Sequence, residues 1–228
     1  MGRAISKELA SAGATIACHY HSSEAEAIRL KREIEKDGGQ IELFRADLSD
    51  LSSCKNLIAA VRQAYGKIDV LINNAAVFFK TPFGSVNEEQ WDTLLNLNLK
   101  SVFFLSQEVS SVMQAQKSGK IINIGDSGAL TPFPSYLPYS ISKAGVIALT
   151  KGLAKALAPH IQVNCINPGP VLFPRDFPEK EKEFAINQTL LKRAGSAEDV
   201  ARTVSFLIEG SDYITGECIS VDGGRHIR

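Results

Sequence analysis

The stretch that decides the fold is Ile68-Asp69-Val70-Leu71-Ile72-Asn73, followed at once by Asn74-Ala75-Ala76. It is a short, nearly unbroken apolar run that ends in two amides. A strand with polar residues on one face alternates; a run apolar on both faces is a strand covered on both sides, as in a parallel sheet. The same pattern recurs along the chain: ATIACHY at 14–20, QIELFRA at 40–46, KIINIG at 120–125, IQVNCIN at 161–167 and ECISVDGG at 217–224. Helical patterns separate the runs. They cover 3–12 (stopped by Gly13), a stretch opened by Ser23 and ended at Gly38-Gly39, 51–66, about 88–116, 136–158 (ended by Pro159) and 197–209. Residues 174–188 are polar and proline-containing and read as a mobile loop or short helices. Strand and helix in alternation predict an α/β fold, a doubly wound parallel sheet of Rossmann type with helices on both faces. The expectation is one domain over residues 1–228, with neither an internal repeat nor a linker.

In such a sheet ligands bind at the carboxyl ends of the strands. The unusual polar groups fall there: Asp47 after the second run, Asn73-Asn74 after the third, Asp126 after the fourth and Asn167-Pro168-Gly169 after the fifth. Composition narrows the ligand. With 25 Lys+Arg against 25 Asp+Glu the formal net charge is zero, which leaves no long-range attraction for nucleic acid or an anionic membrane. No apolar stretch approaches the length of a membrane span. Cys18, Cys54, Cys165 and Cys218 form no CxxC pair, and the four histidines lack ligand spacing. Free thiols in a reducing cytoplasm and no metal site are expected. The partner is then a small molecule.

Tyr139 and Lys143 stand four residues apart at the start of a predicted helix, a spacing that puts both on one face. A free phenol titrates near 10; a neighbouring cation favours the phenolate and brings it toward the working range. The pair is therefore a proton-transfer device, although a solvated surface pair has the same spacing. Four further segments accompany it: Asn73-Asn74-Ala75-Ala76, Asn96-Leu97-Asn98-Leu99 inside the long helix, Pro168-Gly169-Pro170-Val171, and Val221-Asp222-Gly223-Gly224.

Taken in this order, the motifs resemble the short-chain dehydrogenase/reductase superfamily over essentially the whole chain. The resemblance implies a nicotinamide cofactor carrying hydride and a protein that supplies position and protons. It implies Tyr139 as proton donor in reduction, Lys143 as the cation that lowers the Tyr139 pKa and binds the nicotinamide ribose, and Asn98 as holder of a relay water. Asp47 and Leu48 would contact the adenine, Asn74 and Ala75 the adenosine ribose, and Pro168, Gly169 and Val171 the nicotinamide. A homotetramer or homodimer assembled through the two long helices is also implied.

The sequence departs from the family pattern at two places. The usual serine thirteen residues before the tyrosine is Asp126 here; Ser127 would replace it only with a one-residue shift of the strand end. An aspartate at this position is similar to the pteridine reductase branch, in which a carboxyl group relays a proton to nitrogen as a C=N bond is reduced. Phe78 matches the position of an aromatic ring stacked on the pterin, though it also reads as pocket wall. The second departure is at the start. Gly2 matches only the last glycine of the family's phosphate loop, and the first strand that precedes the loop is missing from this chain. The sequence reading expects a truncation, Met1 being an internal methionine taken as the start.

The second-strand end, Cys18-His19-Tyr20-His21-Ser22-Ser23, carries no acid to bind a ribose 2′-hydroxyl. His21 and Ser22, with help from Arg3, would accommodate a 2′-phosphate, so NADP(H) is the expected cofactor. Alternatively the serines only cap the next helix. The leading reading is a pteridine- or dihydrofolate-type reductase; the alternatives are a reductase of 3-oxoacyl thioesters or other ketones and a non-catalytic scaffold.

Overall fold

The computed structural model describes residues 1–174 and 177–228. Six strands form, β1 (Thr15–Tyr20), β2 (Gln40–Arg45), β3 (Val70–Asn73), β4 (Gly119–Ile124), β5 (Ile161–Pro168) and β6 (Cys218–Val221). All pairings among them are parallel. The helices are α1 (Gly2–Ser11), α2 (Glu24–Lys36), α3 (Leu51–Tyr65), α4 (Glu88–Leu95), α5 (Ser101–Gln116), α6 (Leu137–Leu157), α7 (Glu179–Asn187) and α8 (Ala197–Ser205).

β4 shows how the apolar runs build the core. Ile121 faces a cluster with Ile58 and Val61 of α3 and Val109 and Met113 of α5. Its neighbours Ile122 and Ile124 face the opposite cluster, with Ile5 and Leu9 of α1 and Val200 and Val204 of α8. Successive strand residues point to opposite faces, so a strand between two helix layers is mainly apolar. α2 joins the second layer through Leu30 and Ile34, which pack on β1 and β2.

Two local features depart from the expected pattern. The helix expected over 88–116 is interrupted by a π turn at Asn96–Lys100, and that over 197–209 ends in another at Phe206–Gly210. The segment expected as loop or short helices contains α7, for the part that is described; Arg175 and Asp176 lie outside the described residues.

The sheet is divided. β1 pairs only with β2, and β3 begins a separate ladder in the order β3-β4-β5-β6. The facing edges of β1 and β3 border a groove of about 1080 Å³, lined by Ile16, Cys18, Leu30, Ile58, Leu71 and Leu105 among others. Among the described residues the facing edges of β1 and β3 are unpaired, and the walls of the groove are largely apolar.

Beneath the strand ends a buried polar chain ties the layers together. Asn73 and Asn123 are in register on β3 and β4. The Asn73 Nδ2 donates to Asn123 Oδ1 (2.9 Å) and to Ser106 Oγ (3.2 Å), while Asn123 Nδ2 donates to Thr150 Oγ1 (2.9 Å). Asn73 is thus a structural residue linking the sheet to α5 and α6.

Candidate active site

At the carboxyl ends of the strands lies a cleft of about 1680 Å³. Pro138 sits at the first turn of α6, where its missing N–H costs nothing. Tyr139 and Lys143 follow one turn apart on the face toward β4, with the ammonium 6.0 Å from the ring centroid. The Lys143 Nζ donates to the Ile124 carbonyl (2.8 Å), which fixes the end of β4 against α6. Lys143 is buried, and that burial holds its pKa below the ordinary lysine value against the pull of Asp126.

Asp126 follows β4 at the floor of the cleft. Its Oδ1 caps a 3-10 turn by accepting from the Gly128 N–H (2.6 Å), and its Oδ2 accepts from the Tyr139 hydroxyl (2.8 Å). The chain can bring Asp126 there only because residue 125 is glycine. A Cβ at Gly125 would lie 2.1 Å from Asn167 Oδ1 and 2.9 Å from Cys165 Sγ.

The electrostatics differ from the sequence expectation. Lys143 was expected to lower the Tyr139 pKa. Instead burial raises it well above the phenol's ordinary value, and the Asp126 carboxylate, by charge and by hydrogen bond, adds to the rise. Burial also raises the Asp126 carboxyl, against the Gly128 amide, the Tyr139 hydroxyl, Lys143 and Arg225. A desolvated carboxyl group keeps its proton longer than one in water.

Most of the expected site residues line this cleft: His21, Ser22, Asp47, Leu48, Asn74, Ala75, Phe78, Asp126, Tyr139, Lys143, Pro168, Gly169 and Val171. Four others are placed differently. Ser127 is buried, its hydroxyl has no partner among the described residues, and it does not line the cleft. The Asn98 side chain, buried in the π turn, is bonded to the Val77 N–H and C=O (2.9 Å each) and to Ser142 Oγ (3.3 Å). It braces the loop after β3 rather than opening on the cleft. Arg3 holds the Glu33 carboxylate with its guanidinium and lies outside the cleft. Gly2 borders the groove, and a Cβ on it would come 2.8 Å from Asn74 Nδ2.

Phe78 does not present a free ring. It stacks on Tyr136 (4.6 Å between centroids, 5° between planes) and meets Tyr139 edge-on at 4.8 Å. Ser23 forms no side-chain cap on α2, so the capping alternative for that segment is not realised by Ser23. His19, Phe133, Tyr136 and Arg225 also line the cleft and were not expected. His19, whose Nε2 lies 2.9 Å from the Ala46 carbonyl, was legible only as a polar residue within β1.

The residues present fit a dinucleotide. The first helical bond of α1 runs from the Ile5 N–H to the Met1 carbonyl, and no side chain caps the helix. The amides of Gly2, Arg3 and Ala4 thus have no helical partner, which is how a helix start receives a diphosphate. At the His21–Ser22 end of the cleft Asp47 Oδ2 lies 3.9 Å from His21 Nε2. Among the described residues no cluster of metal-ligating side chains occurs, and no helix is long and apolar enough to cross a membrane.

A family profile described as "Enoyl-(Acyl carrier protein) reductase" matches residues 1–226. A 3-oxoacyl-[acyl-carrier-protein] reductase of Thermotoga maritima is 36% identical over 228 residues, covering 98% of this chain and 92% of that protein. One of Staphylococcus aureus is 34% identical over 231 residues, covering 100% and 94%. Among solved structures, a mutant short-chain dehydrogenase/reductase of Serratia marcescens superposes with a TM-score of 0.93 at 33% identity, covering 99% of this chain and 93% of that one. A blue fluorescent protein from a metagenomic library, solved in complex with NADPH, superposes with a TM-score of 0.90 at 31% identity, covering 98% and 92%. The chain belongs to the short-chain dehydrogenase/reductase superfamily of oxidoreductases.

Proposed function

We propose that the protein is an NADPH-dependent reductase of 3-oxoacyl thioesters or closely related ketones, with Tyr139 as the proton donor. The observation that carries this reading is the Tyr139 hydroxyl at the floor of the cleft, bonded to Asp126 at 2.8 Å and one helical turn from the buried Lys143. NADPH, when bound, supplies hydride to the carbonyl carbon. The residues of the chain do the rest. The α1 amides receive the diphosphate, and His21 and Ser22 receive the 2′-phosphate. Lys143 sits where it can bond a ribose hydroxyl. The Tyr139 hydroxyl turns from Asp126 to the substrate oxygen and releases its proton as negative charge develops there. Asp126, whose carboxyl burial helps keep protonated, passes its proton to the Tyr139 phenolate and takes a new one from solvent in the cleft.

The names of the relatives support the thioester. A second reading rests on Asp126. A carboxyl in place of the usual serine favours protonation of nitrogen, hence reduction of a C=N bond in a pterin or dihydrofolate ring. The expected stacking surface for that ring, Phe78, already has one face on Tyr136. Assembly through α5 and α6 belongs to the same proposal, since these helices expose Phe103 and Ile141.

The test is NADPH oxidation with an acetoacetyl thioester and with a dihydropterin, each repeated with NADH. Turnover of the thioester with a preference for NADPH is expected. Turnover of the pterin alone would transfer the assignment to the second reading, and no turnover of either despite NADPH binding would remove both.

A further inference from the structure

The segment Val221-Asp222-Gly223-Gly224 has no part in the reduction chemistry described above, yet it is tightly built. Asp222 is buried and accepts from the Gly224 and His226 amides (2.9 Å each), with its Oδ2 2.7 Å from His226 Nδ1. Gly223 and Gly224 turn the chain at φ +64° and +79°, a region costly for side-chain-bearing residues. The result of this turn is the position of Arg225. Its guanidinium lies 4.6 Å above the Phe133 ring and lines the cleft that contains Tyr139 and Asp126.

Arg225 is half-buried, yet among the described residues its guanidinium makes no ion pair and donates no hydrogen bond. The exposed Arg3 and Arg202, by contrast, each hold a carboxylate. The two carboxylates near Arg225 are engaged elsewhere, Asp126 by Tyr139 and Gly128, Asp222 by His226 and Gly224. A cation partly withdrawn from water, with no ion pair among the described residues and with Asp126 and Asp222 acting on it only at longer range, is a binding group for an anion that enters the cleft. The planar guanidinium, backed by an aromatic face, matches a carboxylate.

We infer that Arg225 binds a carboxylate on the substrate while the carbonyl to be reduced faces Tyr139, so that the cleft accepts short 3-oxo acids as free acids. This rests on the reductase reading and extends its substrate class.

The probes are 3-oxobutanoate and its methyl ester, which is its neutral twin. Arg225→Gln is expected to lower the ratio of kcat/KM for the acid to kcat/KM for the ester about 10- to 100-fold, the range of one charge-assisted interaction. Arg225→Lys, which keeps the charge but not the fork, is expected to fall between. Calorimetry of 3-oxobutanoate with the NADP⁺-saturated protein supplies a readout without turnover, and Arg225→Gln is expected to weaken that binding by a similar factor. An unchanged ratio, through equal losses or none, would overturn the inference, because a guanidinium that only balances the charge of Asp126 affects both substrates alike. Absence of 3-oxobutanoate binding to the wild type would overturn it too, whatever the ester does. Binding that depends on Arg225 without turnover of either compound would uphold this site and defeat the reductase reading.

Discussion

Replacing Asp126 by asparagine tests the electrostatics of the site most sharply. The amide keeps the size and one acceptor oxygen but removes the negative charge. In the wild type the Asp126 carboxyl loses its proton before Tyr139 does, and the resulting charge lies one hydrogen bond of 2.8 Å from the phenol. Two of the three causes that raise the Tyr139 pKa come from this carboxylate; burial is the third and largest. A like charge in contact disfavours ionisation of its neighbour. Asp126→Asn is therefore expected to lower the Tyr139 pKa. The assay is the alkaline limb of kcat for NADPH oxidation, paired with titration of phenolate absorbance in both proteins. The chain has five tyrosines, and the wild-type-minus-variant difference isolates the one that moves. An alkaline limb that stays fixed or moves upward would refute the reasoning. The same substitution also has a stability signature. Burial raises the Asp126 carboxyl above its ordinary value of 3.8, so the folded chain binds that proton more tightly than the unfolded chain. The carboxylate thus destabilises the fold progressively as pH rises from the ordinary carboxylate range through the raised value. The melting temperature of the wild type should fall relative to Asp126→Asn over that window.

Gly125→Ala puts a methyl group where Asn167 Oδ1 lies 2.1 Å away; it should displace Asp126 and reduce kcat at least tenfold while NADPH binding, read by fluorescence, persists. Asn123→Ala leaves the amide of Asn73 and the hydroxyl of Thr150 each short of a partner; a cost of about 2–4 kcal/mol is expected, seen as a lowered urea midpoint at unchanged slope. Joining an apolar strand the length of β1, six residues, and a short turn ahead of Met1 should fill the groove between β1 and β3. Each large side chain it buries contributes about 2 kcal/mol, so the melting temperature should rise by several degrees and NADPH should bind more tightly; an unchanged melting temperature would show that the groove does not take a strand.

The sheet and its helix layers were legible because a strand covered on both faces is mainly apolar, as Ile121, Ile122 and Ile124 of β4 are between the two clusters. The convergence of Asp126, Asn74 and Pro168 on one cleft followed from parallel strands that all end on the same side. What was not legible depends on contacts between distant residues. Nothing local distinguishes Asn96–Lys100 from ordinary helix, and the Asn98 side chain is claimed by Val77, far off in sequence. Arg3 has the right charge for a phosphate but is taken by Glu33 of α2. The direction of the Tyr139 shift was missed because i,i+4 spacing reveals Lys143 but not the depth of burial or the nearness of Asp126. Arg225 left no periodic signal, since its position is set by a glycine turn and by packing on Phe133.

The central claim is that Tyr139 delivers the proton in an NADPH-dependent reduction. The most direct test compares the wild type with Tyr139→Phe for NADPH oxidation by an acetoacetyl thioester, with NADPH binding measured on both by fluorescence. Loss of the hydroxyl alone should lower kcat about 10²- to 10⁴-fold, the usual contribution of a positioned general acid, with NADPH bound as well as before. A Tyr139→Phe protein that turns over within a few-fold of the wild type would contradict the account.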